Sequence, residues 1–381
     1  MVTGRRLAST PATGTPTAGD VDAPALLCPF DVGVDRVARF MNCELADHPV
    51  YDGLELQWFD DDVHGRGLLA FLSRREDRRT DYYAAPELRL DRATYHIGGG
   101  TGAWVETVFD ADVLEVGPDG VRAEVRFLDR EGREIEIVLD DREAGPRRSG
   151  VLLAPVGAGI DAPASLLLVV LHGFDLLRRT SQPPRIHIDG REVSTGILPG
   201  AGLHRRHLVK AAAPLVVATV CRTGDRALTP VDVADPGPVV LATGGHGIAG
   251  VRAEASGHAA TFVLDPALPA LESLPEGRTV TGAWEVAVDG NAMTGGVWQA
   301  TRAGERISLG LDVTEPWRPP SGLPPLLRAV TRLLPTFRRW PTTYRWRGEV
   351  RLASTASLSG RWERTTTDRG ERYRRATASA G

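Results

Sequence analysis

Lysine is nearly absent: Lys210 is the only one among 45 basic residues. Cysteine is scarce too. Cys28, Cys43 and Cys221 are an odd set without CxxC spacing, which argues against a disulfide framework and a cysteine-held zinc, and fits reduced thiols in a cytoplasm. No long hydrophobic run exists. The most apolar stretch, 164–171, falls far short of the roughly 20 residues a membrane-crossing helix takes, so no transmembrane segment is expected. Nor is there an excess of positive charge. With a net charge of −4, no global field is available to hold a polyanion, and nucleic acid is not an expected partner.

Catalytic signatures are missing as well. No Gly-x-Ser-x-Gly occurs, no calcium-loop spacing is present, and the glycine-rich segment 98–102 leads into a strand pattern where a phosphate loop requires a helix. Residues 1–24 are rich in Thr, Ala, Pro and Gly and lack the apolar core of a signal peptide. They read as a disordered tail, as do 369–381.

What is present is strand pattern. In 121–139, Val121, Ala123, Val125 and Phe127 share one face, Arg122, Glu124 and Arg126 the other, and Ile135, Ile137 and Leu139 resume the period of two after a turn. Similar alternation in 185–189, 306–313 and 344–352 implies antiparallel sheet. The continuously apolar runs 151–156, 165–171 and 215–221 are expected to be covered on both sides and to form a joint between lobes. A chain of 381 residues exceeds the roughly 250–300 that one core serves. The expected fold is therefore mainly β, in two antiparallel barrel- or sandwich-like lobes with one amphipathic helix near the C-terminus. The N-terminal β lobe is placed at 25–235, a Pro/Gly/Ala-rich linker at 236–257, and the C-terminal β lobe at 258–368.

The helix is expected at 324–340. Leu326, Leu327, Val330, Leu333, Leu334, Phe337 and Trp340 form one apolar stripe, Pro324 and Pro325 suit the first turn, and Pro335 predicts a kink or break. The stripe is expected to pack on the second lobe, with Phe337 and Trp340 nearest a ligand cavity. Its arginine-rich opposite side also suits peripheral membrane contact.

Chemistry has few candidates. In 60–64, Asp62 and His64 would share a strand face and could form an acid–base pair, while the same residues in a turn would simply be solvated. His172 ends a buried apolar run, where clefts gather polar side chains and where buried histidines also merely find partners. His204 and His207 have helical ligand spacing, but Arg205 and Arg206 lie between them and no third donor is near, so no metal is expected. Tyr82, Tyr83, Tyr95 and His96 are packing or proton-transfer candidates.

Thr-Gly-Ala-Trp occurs at 101–104 and again at 281–284. Gly102-Ala103-Trp104 and Gly282-Ala283-Trp284, with Gly360-Arg361-Trp362 as a weaker third, resemble the Gly-x-Trp that opens the lipocalin barrel. In pairs they are similar to the tandem-lipocalin, hydroxyneurosporene-synthase-like proteins. That resemblance implies two barrels handling bulky apolar molecules, although the first motif here comes late in the chain. The expected function is a binding protein or cofactor-independent enzyme of isomerase, hydratase or cyclase type. Its ligand would be an apolar small molecule contacted by Trp58, Trp104, Trp284, Phe337 and Trp340, with no cofactor. The alternatives are a carbohydrate-binding or carbohydrate-active β-sandwich and an interaction module without catalysis.

Overall fold

The computed structural model describes residues 25–92, 95, 101–198 and 200–365. Both expected tails, His96 and most of the glycine-rich segment lie outside them. The first strands are β1 (Val32–Val37), β2 (Arg39–Glu44), β3 (Tyr51–Asp61), β4 (Gly65–Arg74), β5 (Thr80–Ala84) and β6 (Thr101–Glu106). Next come β7 (Ala111–Val116), β8 (Val121–Leu128), β9 (Glu134–Asp140), β10 (Gly150–Ala154), β11 (Leu166–Arg178), β12 (Arg185–Ile188) and β13 (Arg191–Glu192). A short helix α1 (Ala201–His204) precedes β14 (Arg206–Ala212), β15 (Leu215–Val220) and β16 (Gly224–Ala227). The chain continues through β17 (Val239–Leu241), β18 (Gly247–Ala255), β19 (His258–Pro269), β20 (Thr279–Val288), β21 (Asn291–Ala303) and β22 (Arg306–Glu315). Helices α2 (Pro325–Leu333) and α3 (Pro335–Arg339) then lead to β23 (Tyr344–Arg351) and β24 (Ser357–Arg364).

These strands form two mainly antiparallel lobes. In the first, a ten-stranded sheet runs β1-β15-β11-β14-β2-β3-β4-β5-β6 with β10 beside β11, and a five-stranded sheet runs β13-β12-β9-β8-β7. In the second, β17 to β24 form a meander of consecutive neighbours, and β16 pairs beyond β24. Among the described strands one pairing is parallel, β5 with β6. The segment 236–257, expected as a linker, carries β17 and β18 of the second sheet, which already begins at β16. Its glycines permit close strand approach instead of breaking the sheet: a Cβ on Gly250 would lie 2.2 Å from the Phe262 carbonyl oxygen, so only glycine fits that position.

The period-two hairpin folds as its pattern requires. Val125 faces Ile137 and Phe127 faces Ile135 across β8 and β9, and all four are buried between the ten- and five-stranded sheets. The apolar runs become β10, β11 and β15, and β11 is flanked by β10, β14 and β15. Residues of both lobes share one continuous core, in which Phe30 reaches Phe262 and Trp346 at ring distances of 5.2 and 5.9 Å.

The predicted single helix is two. Leu334 takes extended geometry and Pro335 opens α3, because proline offers no N–H to the Thr331 carbonyl. The stripe is also less buried than expected. Leu327 and Thr331 are buried, yet Leu333 and Leu334 remain 75% and 49% exposed, since the face of α2 that packs inward runs through Leu327 and Thr331, four residues apart, and Leu333 lies off it. Nor is the second lobe its sole support. A Cβ on Gly150 of β10 would lie 2.8 Å from Leu323 and 3.7 Å from Leu327, so the stem of α2 also seats on the first lobe.

Candidate functional site

A row of side chains crosses the ten-stranded sheet at one level. Register places Lys210 beside Asn42, Asn42 beside Glu55, Glu55 beside Phe71, Phe71 beside Tyr82 and Tyr82 beside Trp104. Because successive residues of a strand alternate faces, all six project opposite to Leu54, Leu56, Val209 and Tyr83, which pack toward the five-stranded sheet. Half of the row is polar and half aromatic.

The polar half is wired in one direction. Lys210 Nζ donates to Asn42 Oδ1 at 3.2 Å, and Asn42 Nδ2 donates to Glu55 Oε2 at 3.1 Å. From the other side, Tyr95 Oη donates to Gln57 Oε1, and Gln57 Nε2 donates to Glu55 Oε1 at 2.6 Å. Both carboxylate oxygens thus accept from neutral amides, and the nearest cation, Lys210, stands one residue removed. Burial of the charged form dominates the hydrogen bonds and the Lys210 charge, and pushes Glu55 up from the ordinary 4.5 to about 7. A carboxyl that titrates near neutrality can both give and take a proton.

The aromatic half is tightly stacked. Tyr82 and Trp104 lie parallel at 4.4 Å, and Phe71 meets Tyr82 edge-on at 4.7 Å. Tyr95 bridges the halves, with its ring 6.1 Å from Trp104 and its hydroxyl on Gln57. Trp104, expected to touch ligand, is half-buried here, and its indole N–H has no hydrogen-bond partner among the described residues.

The other expected residues are dispersed. Trp58 projects from the opposite face of β3 into the core beneath the five-stranded sheet, with Arg39 and Arg66 over its ring. Trp284 is buried in the second lobe against Phe262. Trp340 is also buried, edge-on to Tyr344 at 5.7 Å, and lies within the core, not at a mouth. Phe337 lines a cleft of about 640 Å³ together with Trp317, Arg318, Arg328, Arg332 and Arg338.

Asp62 is not the partner of His64. Residues 62–64 form the turn between β3 and β4, so strand alternation ends at Asp61, whose carboxylate accepts the Val63 and His64 N–H groups at 2.9 and 2.8 Å. The His64 ring contacts Asp61 at 3.1 Å and Asp35 at 3.4 Å. Its pKa is raised, first by the hydrogen bond to Asp35 and then by Asp61, against the opposing effect of burial. His204 and His207 do not share a helix face either, since α1 ends at His204 and His207 lies in β14.

His172 does find a cluster. Its Nε2 lies 3.5 Å from Asp289 Oδ2, which also contacts His258 Nδ1 at 2.9 Å. His258 and Asp289 come from the other lobe, and no local spacing could have paired them with His172. Glu55, Gln57 and Asn42 were missed for another reason: Glu55 and Gln57 alternate with Leu54 and Leu56, and Asn42 with Met41 and Cys43, which has the look of a solvated strand face. The available signals were Phe59, which continues that polar face as an aromatic, and the solitary Lys210.

Comparison with protein-family models, with curated proteins and with solved structures finds no match. No helix among the described residues is long and apolar enough to cross a membrane.

Proposed function

We propose that the protein binds a bulky apolar small molecule against Phe71, Tyr82, Tyr95 and Trp104 and acts on it through proton transfer at Glu55, in the manner of an isomerase, hydratase or cyclase. One observation carries this reading: Glu55, whose pKa burial pushes up to about 7, stands in the same row as the stacked rings of Phe71, Tyr82 and Trp104. Protonated Glu55 would deliver its proton to a carbon–carbon double bond, and the aromatic faces would favour the positive charge that develops. Loss of a proton from a neighbouring carbon back to Glu55 would complete an isomerisation or cyclisation; capture of water, with one of its protons passing to the Glu55 carboxylate, would complete a hydration. The kinship with tandem-lipocalin proteins is part of the same proposal, and the two curled antiparallel lobes support it.

The test is binding of neutral isoprenoid probes, farnesol and retinol, followed by thermal shift and tryptophan quenching. Wild type is expected to be stabilised, because a ligand that binds only the native state raises the melting temperature. Trp104→Ala should weaken binding about tenfold or more, the equivalent of ~1.4 kcal/mol of contact, whereas Trp58→Ala, on the opposite face, should leave affinity unchanged. Equal losses in the two variants, or no saturable binding to wild type, would discard the reading.

The exposed end of α2 favours a second role, contact with an anionic membrane surface: Leu333 and Leu334 protrude beside Arg332, Arg338 and Arg339. Leu333→Asp is expected to change unfolding stability by no more than about 0.5 kcal/mol, as at other surface sites, while abolishing co-sedimentation with phosphatidylserine vesicles. Failure of the wild type to sediment removes this role.

A further inference from the structure

We propose that His172, His258 and Asp289 form a divalent transition-metal site, with zinc the fitting ion, that joins the two lobes. The proposal stands apart from Glu55 and its chemistry. His172 extends from β11 of the first lobe, whereas His258 opens β19 and Asp289 occupies the turn between β20 and β21 of the second. Their donor atoms all lie within 4.8 Å of one another. Two of the spacings are 2.9 and 3.5 Å. Donors bound at about 2.0–2.1 Å around tetrahedral zinc stand roughly 3.3 Å apart, so small side-chain rotations suffice to enclose an ion.

The donors are of the right kind and are held in place. Two imidazoles and one carboxylate are borderline ligands that suit zinc, cobalt or nickel better than calcium or magnesium. His172 Nε2 is buried without a hydrogen-bond partner among the described residues, which is costly for a polar atom unless something else fills the role. Its backbone is pinned on both sides, with its N–H donating to the Pro214 carbonyl and its own carbonyl accepting from Ala213, each at 2.9 Å. Asp289 Oδ1 accepts the Ala259 N–H at 3.0 Å, leaving Oδ2 directed at the histidines, the arrangement by which outer hydrogen bonds orient a metal-binding carboxylate.

Electrostatics agree with this geometry. Despite the abundance of arginine, Asp289 and His258 are the charged or titratable groups acting on His172. Burial lowers the His172 pKa. For Asp289, burial works upward, but the hydrogen bonds from His258 and Ala259 outweigh it and lower its pKa. Three protein donors leave a fourth position open to water or another small oxygen donor, as in reactive zinc sites. Reading along the chain could not have found this set, because the ligands belong to different lobes and follow no short motif.

The experiment treats the full chain with EDTA, dialyses it, and titrates Zn²⁺ alone by calorimetry and thermal unfolding. One equivalent is expected to bind saturably and to raise the melting temperature. His172→Gln and His258→Gln should each weaken binding roughly tenfold or more, with circular dichroism unchanged, whereas His207→Gln should bind as wild type. Should either variant fail to fold, diethylpyrocarbonate labelling of wild type supplies the answer: Zn²⁺ is expected to protect His172 and His258 but not His207. Absence of saturable binding, unaltered binding in a folded His172 or His258 variant, or a lack of protection at those two residues would each overturn the site.

Discussion

Arg178→Ala is expected to cost about 3–5 kcal/mol of folding stability, the range for removing one member of a buried ion pair. Arg178 ends β11 in the ten-stranded sheet, and Asp141 follows β9 in the five-stranded sheet. Their side chains are only 5% and 2% exposed. Arg178 Nε donates to Asp141 Oδ2 at 2.9 Å and Nη2 to Oδ1 at 3.1 Å, while further N–H groups reach the carbonyls of Asp119, Asp141 and Gly145. Truncation to Ala leaves the Asp141 carboxylate buried with backbone donors from Val121 and Arg178 alone. Urea denaturation measures the loss, and a cost under about 1 kcal/mol, typical of a surface ion pair, would show that the pair does not clamp the sheets.

The same pair has a pH signature. Burial alone would raise the Asp141 pKa, but hydrogen bonds from Arg178 and Val121 and the Arg178 charge outweigh it and hold the carboxyl below its usual range. A depressed folded pKa contributes stability above the unfolded value near 3.8 and loses it as pH falls through the folded value. In Arg178→Ala the acid-unfolding limb should therefore move to higher pH.

Glu55→Gln is expected to do the opposite and stabilise the protein, by about 3 kcal/mol at pH 8 relative to its effect at pH 4, given roughly 1.4 kcal/mol per pKa unit. With a folded pKa of about 7 against an ordinary 4.5, native Glu55 holds its proton over a window in which the unfolded chain has released it. Stability conferred on the wild type is therefore largest below pH 4.5 and declines as pH rises toward 7. Gln does not titrate, so the difference between variant and wild type should grow through that window and level off above it. Denaturation at pH 4, 5.5, 7 and 8 measures the curve. A flat difference would mean that Glu55 titrates like a solvated carboxyl and would remove the acid–base half of the proposed function.

Local physics made much of the fold readable. The β8–β9 hairpin was legible because a strand with one wet and one dry face must place Val125, Phe127, Ile135 and Ile137 together. The break at Pro335 was legible because a missing N–H acts within one helical turn. The segment 236–257 was misread because Gly and Pro content also marks crossing points where strands lie close, and only pairing with β19 distinguishes the two. For Asp62 the turn reading holds and the strand-face one does not: alternation lasts only while the strand does, and the turn begins at Asp62.

The candidate sites required more than pattern. Lys210 stood out as the only lysine and His172 as a polar end to an apolar run, but nothing local says that Lys210 faces Asn42 or that His172 meets Asp289. Strand periods, proline constraints and the scarcity of cysteine and lysine are properties of neighbouring residues and of composition, so the mainly β, two-lobed character and the helix break follow from the chain alone. Which polar residues of β2, β3 and β14 lie in one row with Phe71 and Trp104, how far Glu55 is withdrawn from water, and which lobe supplies the partners of His172 depend on register between distant strands. Those pairings are selected by burial of the whole core, a sum over many remote contacts, and for that reason they appear only in the folded molecule.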